Sequence, residues 1–301
     1  MQIIRHLPVC SNTPLALAIG NFDGIHLGHQ ALLSRLIDTA AAKKLTPAVM
    51  TFEPHPREFF TPQNAPARLS TLREKLEHFQ QAGLAQAYVC RFNLIFSQIS
   101  AQSFMADILR NQLNANTILV GDDFKFGAKR AGSITDFREN GFDLISLPLV
   151  MLGAERVSST RVRQALAEGD LVQAKALLGR AYSISGKVVH GEKRGRQLGF
   201  PTANVHMRHE RPALSGVYAV KLDGLNAVAN LGVRPTIAGV PKMSLEVHVL
   251  DFNGNLYDKH VRVEFLYKIR DEMKFDGLDA LKAQIAADIA VARKVFGNKN
   301  D

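Results

Sequence analysis

The sequence predicts two fold classes in tandem: an α/β domain built on a doubly wound parallel sheet, then a small antiparallel β-barrel that ends in a helix. Three observations lead to this prediction. The length of 301 residues allows two domains of ordinary size. The first half alternates short apolar runs with helical periods. The second half consists of segments with a period of two, separated by Gly, Pro and Asn. We expect the domains to span residues 1–182 and 183–301.

The strand-like runs of the first half are short and almost wholly apolar, as buried parallel strands are. They occupy residues 15–20, 48–52, 87–92, 117–121 and 142–148. Helical stretches lie between and after them, at residues 29–45, 71–83, 101–113, 160–169 and 170–179. Thr71 and Glu74 have the spacing of a capping box, and Gly83 follows as a helix-ending residue. This alternation of strand and helix indicates βαβ units.

The second half carries the alternation of apolar and polar residues that is typical of half-buried antiparallel strands. The segments are residues 183–191, 216–222, 226–232, 244–252 and 260–269. Short strands of this kind, punctuated by turn residues, favour a small closed barrel. A final helix is predicted from about Gly277 to Phe296.

Composition and charge exclude several classes of protein. The two cysteines, Cys10 and Cys90, form no CxxC or Cys/His spacing, which argues against a disulfide scaffold or zinc ribbon and for a reducing cytoplasm. No apolar run is long enough for a membrane helix or a signal peptide, so we expect no membrane partner. The net charge of +9 is spread over both halves without a basic tail. Diffuse positive charge favours nucleotide phosphates over a nucleic-acid partner.

The first candidate site is the segment GNFDGIHLGH at residues 20–29, which joins a predicted strand to a predicted helix. Its glycines allow a close backbone approach to a ligand, and the new helix offers free N–H groups to a phosphate. Two alternatives remain open: a glycine-rich loop with incidental histidines, and a zinc site formed with His55. The candidate ATP-binding residues are Gly20, Asn21, Phe22, Asp23, Gly24, His26, Gly28 and His29.

A second phosphate-binding segment is predicted at the start of a later helix. Ser158, Ser159, Thr160 and Arg161 place hydroxyl groups and a guanidinium where helix N–H groups are also free. Taken alone, the segment is equally an ordinary helix N-cap. Together with the HxGH segment it resembles the paired ATP motifs of the Rossmann-like nucleotidyltransferase superfamily. That resemblance implies that His26 and His29 are catalytic, because they stabilise charge on the α-phosphate of ATP.

Two loops after predicted strands narrow the resemblance. Residues 51–60 and 121–132 supply prolines and phenylalanines that suit a planar ring, although each loop alone is also explained as packing. With the HxGH segment they resemble the FMN adenylyltransferase (FAD synthetase) module of bacteria, which often has Asp where this chain has Glu53. The resemblance implies flavin contacts from Pro54, His55, Asp123, Phe124 and Phe126.

The second candidate site lies in the second half, at residues 190–204. Glycines, basic side chains and the GFPTAN string suit a polyphosphate with magnesium, since Thr202 and Asn204 offer hard oxygen ligands on one side of an extended segment. A basic surface hairpin is the alternative. The candidate ATP-binding residues are Gly191, Lys193, Gly195, Arg196, Gly199, Pro201 and Thr202, and the candidate Mg²⁺ ligands are Thr202 and Asn204.

The GFPTAN string and the segments 230–236, 245–259 and 269–285 resemble the riboflavin kinase family. The resemblance implies that Glu246 is the general base and that Asn230 and Arg270 contact flavin or phosphate. From the residues alone, Glu246 is equally a solvent-facing strand residue.

The two modules, in this order, cover nearly the whole chain. The chain as a whole therefore resembles the bacterial bifunctional riboflavin kinase/FAD synthetase family. This resemblance implies the conversion of riboflavin to FMN and of FMN to FAD, with ATP and Mg²⁺. Two alternatives remain: an enzyme with one activity and one binding module, and an RNA-binding barrel with an ATP-binding N-terminus.

Overall fold

A computed structural model describes residues 1–191, 199–207, 211–234 and 242–297. The chain forms two compact units. The first consists of Met1–Pro66 and Leu72–Ser158, and the second of Ala67–Thr71 and the chain from Ser159 onwards. The domain boundary after residue 182 stays a prediction.

The first unit is built on a six-stranded parallel sheet in the order β1-β4-β3-β2-β5-β8. Its strands are β1 (Gln2–Ile4), β2 (Leu15–Ile19), β3 (Thr46–Glu53), β4 (Gln86–Arg91), β5 (Ala115–Gly121) and β8 (Asp143–Leu147). Two short hairpins accompany it: β6 (Lys125–Phe126) with β7 (Gly132–Ser133), and β9 (Met151–Leu152) with β10 (Glu155–Arg156). The predicted parallel sheet is confirmed, and β1 is an addition to it.

Helices cover both faces of this sheet, and the alternation of side chains along β2 shows how. Leu15, Leu17 and Ile19 belong to the apolar core on one face, whereas Ala16 and Ala18 belong to the core on the other face. Because both faces are covered, the strand is apolar throughout. The helices of this unit are α1 (Leu27–Lys43), α2 (Pro56–Phe60), α3 (Leu72–Gln81), α4 (Leu94–Ser97), α5 (Ala101–Ser103) and α6 (Ile134–Glu139), and 3₁₀ turns occupy Pro62–Asn64 and Ala128–Arg130.

The helix predicted over residues 101–113 has an unexpected form, because α5 continues as a π-helix over Phe104–Gln112. The buried side chains of this π-helix are Phe104, Met105, Ile108 and Leu109. They belong to the apolar core on one face of the sheet, together with Leu113, which directly follows the helix.

The second unit contains the predicted barrel, which is closed and antiparallel in the order β11-β12-β15-β14-β13-β16. Its strands are β11 (Tyr182–Val189), β12 (Ala203–His206), β13 (Gly216–Leu222), β14 (Leu225–Arg234), β15 (Lys242–Val249) and β16 (His260–Arg270). The helices of this unit are α7 (Ser159–Glu168), α8 (Leu171–Leu178) and α9 (Leu278–Gly297). The terminal helix α9 packs through Ala292 against Val217, Ala219 and Val228 on the outer face of the barrel.

Along the described part of the chain, no helix has both the length and the apolar character that a membrane crossing requires.

Candidate active sites

The loop with the HxGH segment leaves the end of β2 and leads directly into α1. Strand β2 lies between β3 and β5. The winding of the chain therefore reverses direction at β2, and open α/β sheets bind ligands at such a point, beyond the carboxyl ends of the strands. Phe22 and Ile25 are held in the left-handed region, with φ of 50° and 41°. Non-glycine residues rarely adopt this conformation, and it is concentrated at functional sites.

The two histidines of this loop lie against each other. Their rings stack with centroids 3.8 Å apart, and the His26 ring caps α1 because its Nδ1 accepts a hydrogen bond from the backbone N–H of His29 at 3.4 Å. A neutral His26 therefore carries its proton on Nε2 and can donate it to a ligand. A Cβ atom on Gly28 would lie 3.2 Å from the His26 ring, so this close packing favours glycine.

Burial of the His29 ring lowers the pKa of that side chain well below 6.5, and the neighbouring His26, Lys75 and Arg156 lower it further. The Nδ1 atom of His29 is buried and has no hydrogen-bond partner among the described residues. At neutral pH the His29 ring is therefore uncharged. It can act on a phosphate as a hydrogen-bond donor, but not as a cation.

An aromatic cavity of about 570 Å³ adjoins this loop, since Gly20 and Asn21 form part of its wall. Its volume is in the range of sites for small molecules and cofactors. Four basic residues, Arg57, Lys125, Lys129 and Arg130, also line it. The phenylalanines of the wall are Phe52, Phe60, Phe92, Phe96, Phe104, Phe124 and Phe126.

Only part of the predicted flavin set lines the aromatic cavity. Phe124 and Phe126 do so, with ring planes 18° apart and centroids separated by 5.9 Å. Pro54, His55 and Asp123 are not among the lining residues. His55 caps α2 through a hydrogen bond from the backbone N–H of Arg57 to its Nδ1 at 3.1 Å. The carboxylate of Asp123 pairs with Arg156 at 2.7 Å.

The sequence analysis missed most of the cavity wall. Phe52 lies in β3 and Phe92 directly follows β4, so both stand near the carboxyl ends of neighbouring parallel strands. That position is the signal that could have identified them. Asp23 is buried within the loop, as part of the predicted ATP-binding segment.

The segment at residues 158–161 falls at the division between the two units. Ser158 is the last residue of the first unit, and α7 of the second unit begins at Ser159. The start of a helix at this segment agrees with the sequence. Its role as a phosphate clamp stays a prediction.

The barrel brings three predicted kinase residues into one row, here called the polar row: Asn204, Glu246 and Asn230. Glu246 on β15 is directly opposite Asn204 on β12 and Asn230 on β14. Side chains opposite each other in antiparallel strands have Cβ atoms about 4.5–5.5 Å apart and share one face of the sheet. The neighbours of Glu246, Leu245 and Val247, are buried. The polar row therefore faces outward from the barrel.

Two further contacts organise the predicted ATP segment. A Cβ atom on Gly191 would lie 2.3 Å from the Asn204 side chain, so only glycine allows this approach. His248, which the sequence analysis did not select, donates from Nδ1 to the carbonyl of Pro201 at 2.8 Å. Gly199 has a φ of 88°. Lys193, Gly195 and Arg196 lie outside the described residues.

Arg270 is held by the terminal helix. Its Nε and Nη2 atoms donate to the buried carboxylate of Asp288 at 2.8 to 3.1 Å, and Nη1 donates to the carbonyl of Asp271 at 3.0 Å. Gln284 donates to the same carboxylate at 2.9 Å. Arg270 thus joins the end of β16 to α9, so its predicted contact with flavin stays a prediction.

Among the residues that the structure describes, no group of three or more His, Cys, Asp and Glu side chains could hold a metal ion. Thr202 and Asn204 offer hydroxyl and amide oxygens instead. Such a set fits Mg²⁺, because this ion commonly takes few protein ligands and completes its shell with waters and substrate phosphates.

The fold and the two sites together define a protein of the nucleotide-using class, with an aromatic cavity at one site and a carboxylate at the other.

Comparison with known proteins narrows this class. The FAD synthetase family model matches residues 10–161, and the riboflavin kinase family model matches residues 178–296. The bifunctional riboflavin kinase/FMN adenylyltransferase of Escherichia coli K12 is 45% identical over 309 residues, covering 99% of this chain and 98% of the relative. The protein of the same description from Pseudomonas fluorescens is 47% identical over 304 residues, covering 97% of each. The chain belongs to the bifunctional riboflavin kinase/FMN adenylyltransferase family.

A solved structure supports the fold over nearly the whole chain. A crystal structure described as a macrolide-efflux protein from Streptococcus pneumoniae has a TM-score of 0.82 and 32% identity, and the match covers 97% of this chain and 99% of that one. The efflux description belongs to that protein. ATP-using kinase and adenylyltransferase families such as those matched here generally use a divalent metal.

Proposed function

We propose that this chain makes FMN and then FAD. It phosphorylates riboflavin with ATP at the polar row of the barrel, and it adenylylates FMN with a second ATP at the HxGH loop, releasing pyrophosphate. This proposal rests on one observation: the motif of each matched family lies beside a structural feature that suits the activity of that family. The HxGH loop adjoins the aromatic cavity, and Asn204, the last residue of the GFPTAN string, pairs in register with Glu246.

In the adenylylation, a phosphate oxygen of FMN attacks the α-phosphorus of ATP. The bond from that phosphorus to the bridging oxygen of the β-phosphate breaks, and pyrophosphate leaves. Negative charge grows on the α-phosphate oxygens and on the leaving group. His26 and His29 are proposed to donate hydrogen bonds to these oxygens, together with free N–H groups at the start of α1. Residues 158–161 are retained as ATP ligands on the resemblance of their motif.

The aromatic cavity is proposed to bind the isoalloxazine ring of FMN. Phe124 and Phe126 line the cavity with nearly parallel rings, and offset stacking on a planar aromatic ring is favourable. The four basic residues of the wall suit the phosphate of FMN, which riboflavin lacks. The cavity therefore supports FMN, rather than riboflavin, as the acceptor at this site.

In the kinase reaction, the terminal ribityl hydroxyl of riboflavin attacks the γ-phosphorus of ATP, and ADP leaves. Glu246 is proposed to take the hydroxyl proton as general base. Asn204 and Asn230 flank it in the polar row and suit hydrogen bonds to substrate. The glycines and basic residues of the segment from Gly191 to Thr202 are proposed to bind the ATP phosphates.

Magnesium is proposed as the divalent ion, held by Thr202 and Asn204, and it would neutralise charge on the ATP phosphates. ATP, riboflavin, FMN and FAD are the proposed substrates and products. The cytoplasm is the proposed location, because it holds ATP and keeps Cys10 and Cys90 reduced.

The direct test is incubation of the purified chain with riboflavin, ATP and MgCl₂, followed by chromatography of the flavins. FMN should appear first and FAD second, and EDTA should stop both. Formation of FMN alone, with no FAD even from supplied FMN, would leave only the kinase. Formation of FAD only from supplied FMN would leave only the adenylyltransferase. Absence of both products in a folded preparation would overturn the proposal.

A further inference from the structure

The first unit contains a buried lysine for which the sequence analysis found no role. Lys75 lies in α3, and only 3% of its surface is exposed. Lysine is almost never buried to this degree unless its charge is paired, because transfer of an ammonium group from water is costly. A purely packing role would be filled at lower cost by an apolar side chain. The charge at this position therefore calls for a specific explanation.

The ammonium group of Lys75 lies among oxygen atoms of β3 and of the HxGH loop. Its Nζ donates to the backbone carbonyl of Asn21 at 3.3 Å and to the hydroxyl of Thr51 at 3.5 Å. The carboxylate of Glu53 is 3.9 Å away. Thr51 in turn donates to the same Asn21 carbonyl at 3.3 Å. Lys75 thus joins α3 to β3 and to the first residues of the HxGH loop.

This position gives Lys75 two effects on the loop. It holds the carbonyl of Asn21, which lies between the end of β2 and the histidines, and Asn21 itself lines the aromatic cavity. It also adds positive charge near the His29 ring, where it lowers the pKa of that histidine together with burial, His26 and Arg156. Both effects favour one arrangement of the loop, with an uncharged His29.

We propose that Lys75 is a positioning residue for adenylylation: its ammonium group anchors the carbonyl of Asn21 to β3 and so holds the HxGH loop in its catalytic arrangement. This inference depends on the proposed adenylyltransferase function of the loop. Lys75 acts through the loop and is not assigned a contact with the reacting atoms.

The main test is Lys75→Met, which keeps an unbranched side chain one atom shorter than lysine and removes the charge. The kcat of FAD formation from supplied FMN should fall by about ten- to a hundredfold, the range expected when a catalytic group is misplaced. The KM for FMN should change by less than about threefold, because the phenylalanines of the cavity are untouched. FMN formation from riboflavin should be unchanged. A kcat within twofold of the wild type would overturn the proposal.

The pH dependence of FAD formation separates positioning from simple packing. The neighbouring His26, Lys75 and Arg156 each lower the pKa of His29, in addition to burial. Loss of the Lys75 charge raises the pKa of His29, so its uncharged form disappears at a higher pH. The acid limb of the profile should therefore move to higher pH in Lys75→Met. It should stay in place in Lys75→Arg, which keeps the charge even if its larger head group lowers kcat. An acid limb that is the same in both variants would contradict the proposal.

Two controls keep the outcome decisive. Lys175→Met removes an exposed lysine of α8 and should leave both activities unchanged. Cys90, buried in β4, reports whether the first unit is folded, because it should resist thiol reagents in a folded variant. If Cys90 becomes reactive in Lys75→Met, the first unit is unfolded in that variant, and Thr51→Val is used in its place. Thr51→Val removes one partner of Lys75 and should lower the kcat of FAD formation at least threefold. An unchanged kcat in that variant would overturn the inference. A wild-type chain that makes no FAD would instead overturn the proposed function.

Discussion

The two proposed sites are built in different ways. In the first unit, loops at the ends of parallel strands enclose the site, a histidine nitrogen is buried, and phenylalanines from several elements form a cavity. In the second unit, the polar row lies on the outer face of a barrel, and strand register alone aligns its members. Burial therefore controls the chemistry of the first site, as the lowered pKa of His29 shows. Register controls the second site, where a slip of one residue would turn Glu246 into the barrel.

The largest difference between the sites is expected from Glu246→Gln, which keeps the shape of the side chain but removes the proton acceptor. General-base catalysis contributes about 10²–10⁴-fold, so kcat for FMN formation should fall by that factor. FAD formation from supplied FMN should be unchanged. Steady-state kinetics of each half-reaction on one preparation measures both.

Glu264→Gln is the matched control for this variant, because Glu264 is a half-buried residue of the same barrel on β16 and lies outside the polar row. It should keep both activities. A fall of less than threefold in Glu246→Gln would remove Glu246 from the role of base. A raised KM with unchanged kcat would make it a binding residue.

The reverse effect is expected from His29→Ala. Loss of one donor to a developing oxyanion costs about 10²–10³-fold, so FAD formation should fall by that factor while FMN formation continues. His6→Ala, which removes an exposed histidine, serves as the control. Equal loss of both activities in a folded His29→Ala protein would show that the two sites are not separate.

A smaller effect is expected from Phe124→Ala, because it removes one ring face from the aromatic cavity. A stacking contact contributes about 0.5–1.5 kcal/mol, so the KM for FMN should rise by up to about tenfold. Riboflavin kinetics at the barrel should not change. Phe252→Ala, in the second unit and partly exposed, is the matched control. An unaltered KM for FMN would place the flavin outside the cavity.

The last prediction concerns the reactivity of the two thiols in the unaltered protein and involves no change in catalysis. Both cysteines belong to the first unit: Cys10 is exposed, and burial raises the pKa of the Cys90 thiol to about 12. Because the thiolate is the reactive form, one thiol per chain should react with a disulfide reagent at pH 8 and two after unfolding. Labelling of Cys90 during denaturation would therefore report the unfolding of the first unit alone. Two reactive thiols in the native protein would contradict the packing of β4.

The sequence predicted much of the fold because its local patterns are strong. Apolar runs marked the parallel strands, alternation marked the barrel, and the HxGH loop and the terminal helix lie where they were predicted. Strand β12 was missed because Ala203 and Asn204 lie inside a string taken for a phosphate loop. The π-helix was also missed, since its apolar spacing was interpreted as an ordinary helix.

The parts of the sites that escaped prediction depend on long-range placement. The meeting of Asn204, Glu246 and Asn230 does not follow from any spacing along the chain. Phe52 and Phe92 stand at the ends of predicted strands, but their contribution to one cavity depends on how those strands pack. The contacts of His55 and Asp123 could not be predicted from the sequence either. His55 caps a helix, and Asp123 pairs with Arg156.

The most direct measurement of two separate sites on one chain is complementation in a mixture. With riboflavin, ATP and MgCl₂, His29→Ala alone should accumulate FMN, and Glu246→Gln alone should form almost no FMN or FAD. Equal amounts of both variants should form FAD, because FMN released by the first becomes the substrate of the second. A mixture that stops at FMN, although Glu246→Gln converts supplied FMN to FAD, would contradict two sites that work independently.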